Sequence, residues 1–206
     1  MITHSGRRID LPSPQRGQVH IGDVAVQLSR IPRFVGATLE PWNVAAHSLH
    51  CSALAEADGA SLQAQLAALL HDAHEAYMGD IPSPFKQAVM AEAGSMWCPL
   101  KLAEDKLQVA VLHQLGSLDC YEANRAAVKH WDLVSLATER KYLMHAAAMD
   151  APWPMLAGIE PAPWPITGVR GMGWVDWADD FQERYHHLVA AIFFSSTTTN
   201  PETTTP

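Results

Sequence analysis

The chain has 206 residues, 48% hydrophobic and 17% charged, enough to bury one sizeable core in a single domain. A formal net charge of -8 argues against a broad grip on a nucleic-acid polymer, so a bound phosphate needs local cations or a metal ion to offset the acids. Three cysteines (Cys51, Cys98, Cys120) without CxxC spacing, no apolar leader, and no apolar run near the roughly 18 residues of a membrane span give the reading of a cytoplasmic protein without membrane association.

Residues 1–21 read as a polar arm broken by Pro12 and Pro14, with short extended pairing around Arg8 to Leu11. The domain proper spans 22–194. Its first helix covers 22–31, with Asp23 near the N-cap and Pro32 as the stop. A second runs from Asn43 as cap to Gly59, and a third from Ser61 to Gly79, rich in Ala and Leu. The two prolines of GDIPSPFK predict a loop over 79–86. Helical periodicity returns over about 99–115, over Glu122 to about Ala148, and over about 175–194. Between the last two, residues 151–174 collect Pro, Gly and Trp and read as an irregular loop, and 195–206 (SSTTTNPETTTP) as a disordered tail. Period-two alternation is nearly absent, so the fold class is all-α.

The stretch LLHDAHEAYMGDIPSPFK places His71 and Asp72 directly after an apolar run, with Glu75 one turn on. Two neighbours on a helix point about 100° apart, so both reach one ion only at a helix edge that borders a cavity. An imidazole and a carboxylate suit a borderline divalent metal, but a tight site needs further ligands. The best candidates are His47 and Asp132, each interrupting an otherwise apolar helix face.

The order AHS, then HDAHEAYMGDIPSPFK, then a downstream helical Asp resembles the HD-domain phosphohydrolase superfamily, an all-α bundle. Within it, the chain is most similar to small deoxynucleotide hydrolases: the bacterial 5'-deoxynucleotidases and related phage enzymes, including those that hydrolyse dATP. The likeness covers approximately residues 22–145, and HD-x-x-E-x-x-x-x-D-[IL]-P-x-P-x-K extends well beyond the doublet. The resemblance implies metal ligands His47, His71, Asp72 and Asp132, with Glu75 as the catalytic glutamate and Asp80 as the acid beside the sugar. It also implies substrate contacts from Arg33 to phosphate, from Phe34 to base or sugar, and from Lys86 to phosphate. His74 and His50 fall outside the motif, and core packing is the expected role of Trp42. Ala46 departs from the family pattern, which places an acid or glutamine before the first ligand.

By this likeness the protein is expected to be a metal-dependent enzyme acting at the 5' phosphoester of a deoxynucleotide. A triphosphate is favoured, dATP first, giving deoxynucleoside and triphosphate. The alternatives are a 5'-deoxynucleotidase acting on monophosphates and a noncatalytic nucleotide-binding metal module. Zn, Co, Mn and Mg all suit the ligand set. A homo-oligomer is expected by family analogy.

Overall fold

The structure, a computed structural model, describes residues 1–15, 17–93, 99–163 and 172–198. Helices carry it in the order α1 (Ile21–Leu28), α2 (Val44–Ala57), α3 (Leu62–Leu70), α4 (Glu75–Met78), α5 (Ser83–Ala93), α6 (Pro99–Gln114), α7 (Leu118–Leu143), α8 (Ala147–Asp150) and α9 (Trp174–Thr198). Among the described residues, extended pairing is limited to two isolated bridges, Ile2 with Arg8 and Pro32 with Asn43. The fold is all-α. No described helix is long and apolar enough to cross a membrane.

The centre is α3, whose residues from Ala64 to Leu70 are all buried, as expected of a helix apolar on every side. Ala64, Ala67 and Ala68 pack against Cys51 and Ala55 of α2 and against Val128 and Trp131 of α7. These small side chains let the three helices approach closely around the start of the HD stretch. On the other flank α9 packs on α1, α2 and α3, and Phe181 and Leu188 join Val24, Leu28, Leu69 and Leu70 in the main core. Each fully buried side chain of this size contributes roughly 1.5–3 kcal/mol. Trp42 belongs to this core, edge-on to Trp177 with ring centroids 5.6 Å apart.

Caps follow the sequence at two helices. Asn43 Oδ1 accepts from the Ala46 N–H at 2.9 Å, and Ser61 Oγ accepts from the Ala64 N–H at 3.2 Å. Elsewhere the boundaries differ. The helix expected over 22–31 ends at Leu28, before Pro32, and Asp23 lies inside it rather than capping it. The buried Asp23 carboxylate instead ties down the arm, accepting from Thr3 Oγ1 at 2.9 Å and from the Ser5 N–H at 2.7 Å. The single helix expected over 61–79 breaks after Leu70 into a tight turn, where Ala73, Glu75 and Tyr77 donate to carbonyls three residues back. The expected loop holds only over 79–82: α5 starts at Ser83, with Pro84 in the first turn, where a helix has no use for its missing N–H group. Helix α7 begins at Leu118 and stops at Leu143, whose carbonyl accepts from the Leu39 N–H, so α8 is a separate turn. Helix α9 runs through Thr198, four residues into the stretch expected as tail. Residues 199–206, and 164–171 of the expected 151–174 loop, lie outside the described residues.

Candidate metal centre

The i→i−3 turn after α3 decides where the HD stretch points. In such a turn, residues three apart eclipse, which sets Asp72 and Glu75 on one side. His71 closes α3 with Nδ1 2.8 Å from the Ala68 carbonyl. A carbonyl only accepts, so Nδ1 carries a proton, and Nε2 is the nitrogen that takes either a second proton or a cation.

Helix α2 supplies the second imidazole. His47 is fully buried, with Nδ1 2.7 Å from Glu139 Oε1 and 3.1 Å from Ser135 Oγ, both on α7. Burial favours a neutral Glu139, but Arg33 and His47 beside it hold its carboxyl at about 2. The ionised Glu139 therefore accepts, and His47 Nε2 also faces inward.

These two Nε2 atoms meet two carboxylates. His47 Nε2 lies 3.3 Å from Asp132 Oδ1 and 3.7 Å from Asp72 Oδ2. His71 Nε2 lies 3.1 Å from Asp72 Oδ2 and 4.0 Å from Asp132 Oδ1. Donor atoms bound at about 2.0–2.1 Å in a tetrahedron stand about 3.3 Å apart, so the spacing fits a shared cation. The chemistry of the set fits too. Two imidazoles with outer nitrogens already bonded and two carboxylates form an oriented N2O2 group for Zn, Mn, Co or Mg. Burial opposes a proton on His71, but the Asp72 charge outweighs it and raises the imidazole to about 9. A cation entering the group therefore competes with a proton.

Glu75 is buried beside this group, and its Oε2 has no hydrogen-bond partner among the described residues. Burial first, then the charges of Asp72 and Asp80, push its carboxyl well above the usual range. Asp80 is half-buried and shifts the same way, mainly by burial, with Arg33 opposing. Arg33 is itself buried, and its Nε and Nη2 donate to Glu139 Oε2 at 3.1 and 3.0 Å. Lys86, expected to be free for phosphate, sits 2.5 Å from Glu104 Oε1. Phe34 follows Arg33 in a left-handed backbone pair with Val35 (φ 54 and 56), strain of about 1–3 kcal/mol per residue that clusters at functional sites. Its ring stands 6.2 Å from that of Trp153, which is backed by the Arg140 guanidinium at 5.0 Å.

No family model matches the chain. The uncharacterized protein YfdR of Escherichia coli is 33% identical over 159 residues, covering 76% of this chain and 78% of YfdR. An uncharacterized protein of Rhodobacter capsulatus, RCAP_rcc00048, is 35% identical over 197 residues, covering 90% of this chain and 93% of that protein. The chain belongs to the YfdR family.

In this YfdR-family chain the structure brings His47, His71, Asp72 and Asp132 together and places Glu75 and Asp80 where they feel the charge of Asp72. It leaves Arg33 and Lys86 paired with Glu139 and Glu104, residues that sequence reasoning missed. A signal for Glu139 existed: it stands seven residues after Asp132, two turns along one face of α7, with Ser135 between them. Cys51, one turn after His47, was also missed; its Sγ lies 3.6 Å from His47 Nε2. Lys129 faces the site, with Nζ 2.7 Å from Asp132 Oδ2.

Proposed function

We propose that this YfdR-family protein is an HD-type metal-dependent phosphohydrolase that cleaves the 5' phosphoester of a deoxynucleotide, with dATP the favoured substrate and deoxyadenosine and triphosphate the products. One observation carries the reading: the Nε2 atoms of His47 and His71 converge on oxygens of Asp72 and Asp132, while each Nδ1 has a hydrogen-bond partner behind it. These four side chains would hold a divalent ion, which supplies Lewis acidity toward a phosphoryl oxygen and toward water.

The remaining work falls to protein groups. Glu75 has a carboxyl raised above the usual range by burial and by its acidic neighbours, and it is the unpartnered acid available for proton exchange. It accepts a proton from the attacking water and returns one to the departing 5' oxygen as the P–O bond breaks. Asp80 accepts a hydrogen bond from the sugar 3'-OH. Phe34 and Trp153 offer aromatic faces to the base, and Arg33 and Lys86 add positive charge on the phosphate side.

A second reading, hydrolysis of a deoxynucleoside monophosphate by the same site, is favoured by the pairing of Arg33 and Lys86 with buried glutamates. That pairing leaves less cationic charge for a triphosphate tail. A chromatographic product assay on all deoxynucleoside mono- and triphosphates, with Mn, Co, Zn and Mg in turn, tests both. Release of triphosphate from dATP supports the first reading and release of phosphate from a monophosphate the second; no product from any substrate refutes both.

A further inference from the structure

His74 stands inside the HDAHE stretch, yet the reading above gives it no task. We propose that His74, Glu75 and Glu104 form a second divalent-cation site, suited to a transition-metal ion such as Mn(II), one of whose ligands, Glu104, is now paired with the Lys86 ammonium. The assignment does not depend on the phosphohydrolase reading.

One ligand atom from each of these residues lies within 4.8 Å of the others, and all three residues are buried. They come from different parts of the fold: the turn after α3, the start of α4, and α6. Their spacing is thus fixed by tertiary packing rather than by one flexible loop. An independent observation points to a ligand. His74 Nδ1 and Glu75 Oε2, both sealed from solvent, have no hydrogen-bond partner among the described residues. A buried polar atom left unmatched costs about 1–3 kcal/mol, so the Glu75 oxygen calls for a bound partner, and His74 reaches toward Glu104 through its other ring nitrogen, Nε2. One imidazole and two carboxylates are the donor set of a borderline divalent ion.

Positive charge is already drawn to this place. Lys86 Nζ lies 2.5 Å from Glu104 Oε1, and His74 Nε2 lies 3.7 Å from the same oxygen. A cavity of about 230 Å³, lined by Lys86, Glu104, Ser83 and Met155 among others, gives an ion a route in. An ion taking Glu104 displaces the Lys86 ammonium, which then becomes available to an anionic ligand. The second ion and the released lysine together add the positive charge that a polyphosphate requires.

Equilibrium dialysis of the full chain against Mn(II), with bound metal counted by mass spectrometry, tests the site. Wild type is expected to bind two ions, and His74→Ala and Glu104→Gln one each. Lys86→Met, which removes the competing ammonium while keeping all three ligands, is expected to bind the second ion about tenfold more tightly. Saturation of both wild type and Lys86→Met at one ion that His74→Ala keeps and His71→Ala loses overturns the site, as does a two-ion stoichiometry unchanged in folded His74→Ala and Glu104→Gln. The His71→Ala variant keeps the two failures apart. Metal retained by His71→Ala and lost by His74→Ala supports this site, whatever becomes of the His47–His71 centre.

Discussion

Glu139 offers the sharpest mutational test of how the centre is held. Its carboxylate accepts from His47 Nδ1 and Trp42 Nε1 on one oxygen, at 2.7 and 2.8 Å, and from the Arg33 guanidinium on the other. Replacing it with alanine strands a buried guanidinium and two further donors, and breaking a buried ion pair in this way costs about 3–5 kcal/mol. For a chain of this length each kcal/mol moves Tm by roughly 2–4 °C, so Glu139→Ala is expected to melt about 6–20 °C below wild type. Glu139→Gln keeps an oxygen for His47 and Trp42 but turns an amide N–H toward Arg33, so it loses the ion pair while retaining orientation of the imidazole. Loss of the group that orients a ligating His lowers metal affinity by about 10–100-fold. Calorimetric titration with Mn(II) is therefore expected to rank wild type tightest, Gln intermediate and Ala weakest, alongside thermal melts. Equal metal affinity in all three proteins, with only Tm changed, would refute the idea that Glu139 orients His47 toward a cation.

Glu75→Gln is expected to keep the ion at His47 and His71 while losing turnover by about 10²–10⁴-fold, as measured by product release with parallel metal analysis. Glu104 gives a pH prediction with a definite sign. The His74 imidazole beside it, then the Lys86 ammonium, against opposing burial, lower its carboxyl from 4.5 to about 2. The associated stabilisation is present above pH 4.5 and lost as pH falls from there toward 2. In urea unfolding across that window, the advantage of wild type over Glu104→Gln should shrink steadily; a constant gap would refute it. Asn43→Ala removes the α2 cap just before His47 and should cost about 1 kcal/mol, or roughly 2–4 °C in Tm by differential scanning calorimetry.

The helices and the metal candidates were legible because each left a local signature. Asn43 and Ser61 announce helix starts through their side-chain acceptors, and the polar interruptions at His47, His71, Asp72 and Asp132 stand out against apolar faces. Long-range partners left weaker traces. Glu104 looks like one more acid on a mixed helix, and only packing of α6 against the HD turn brings it to His74 and Lys86. Arg33 reads as an exposed phosphate binder until the fold buries it against Glu139, 106 residues away. The break at His71 was hidden for another reason. Its residues are good helix formers, and the difference between i→i−4 and i→i−3 bonding is set by tertiary contacts rather than by propensity. Proline misled at Ser83, where it marks a helix start instead of a loop. The support missing at Ala46 comes from Glu139 and Ser135, a substitution across space that no local window displays.

Under the proposed function, one cation held by two histidines and two aspartates serves hydrolysis of a deoxynucleotide. The most direct test is chromatographic measurement of deoxyadenosine released from dATP and from dAMP by wild type and His71→Ala, each with and without added Mn(II). Release is expected from wild type only when metal is supplied, and from His71→Ala under neither condition. Equal release by chelator-treated His71→Ala and metal-loaded wild type would contradict the proposed function.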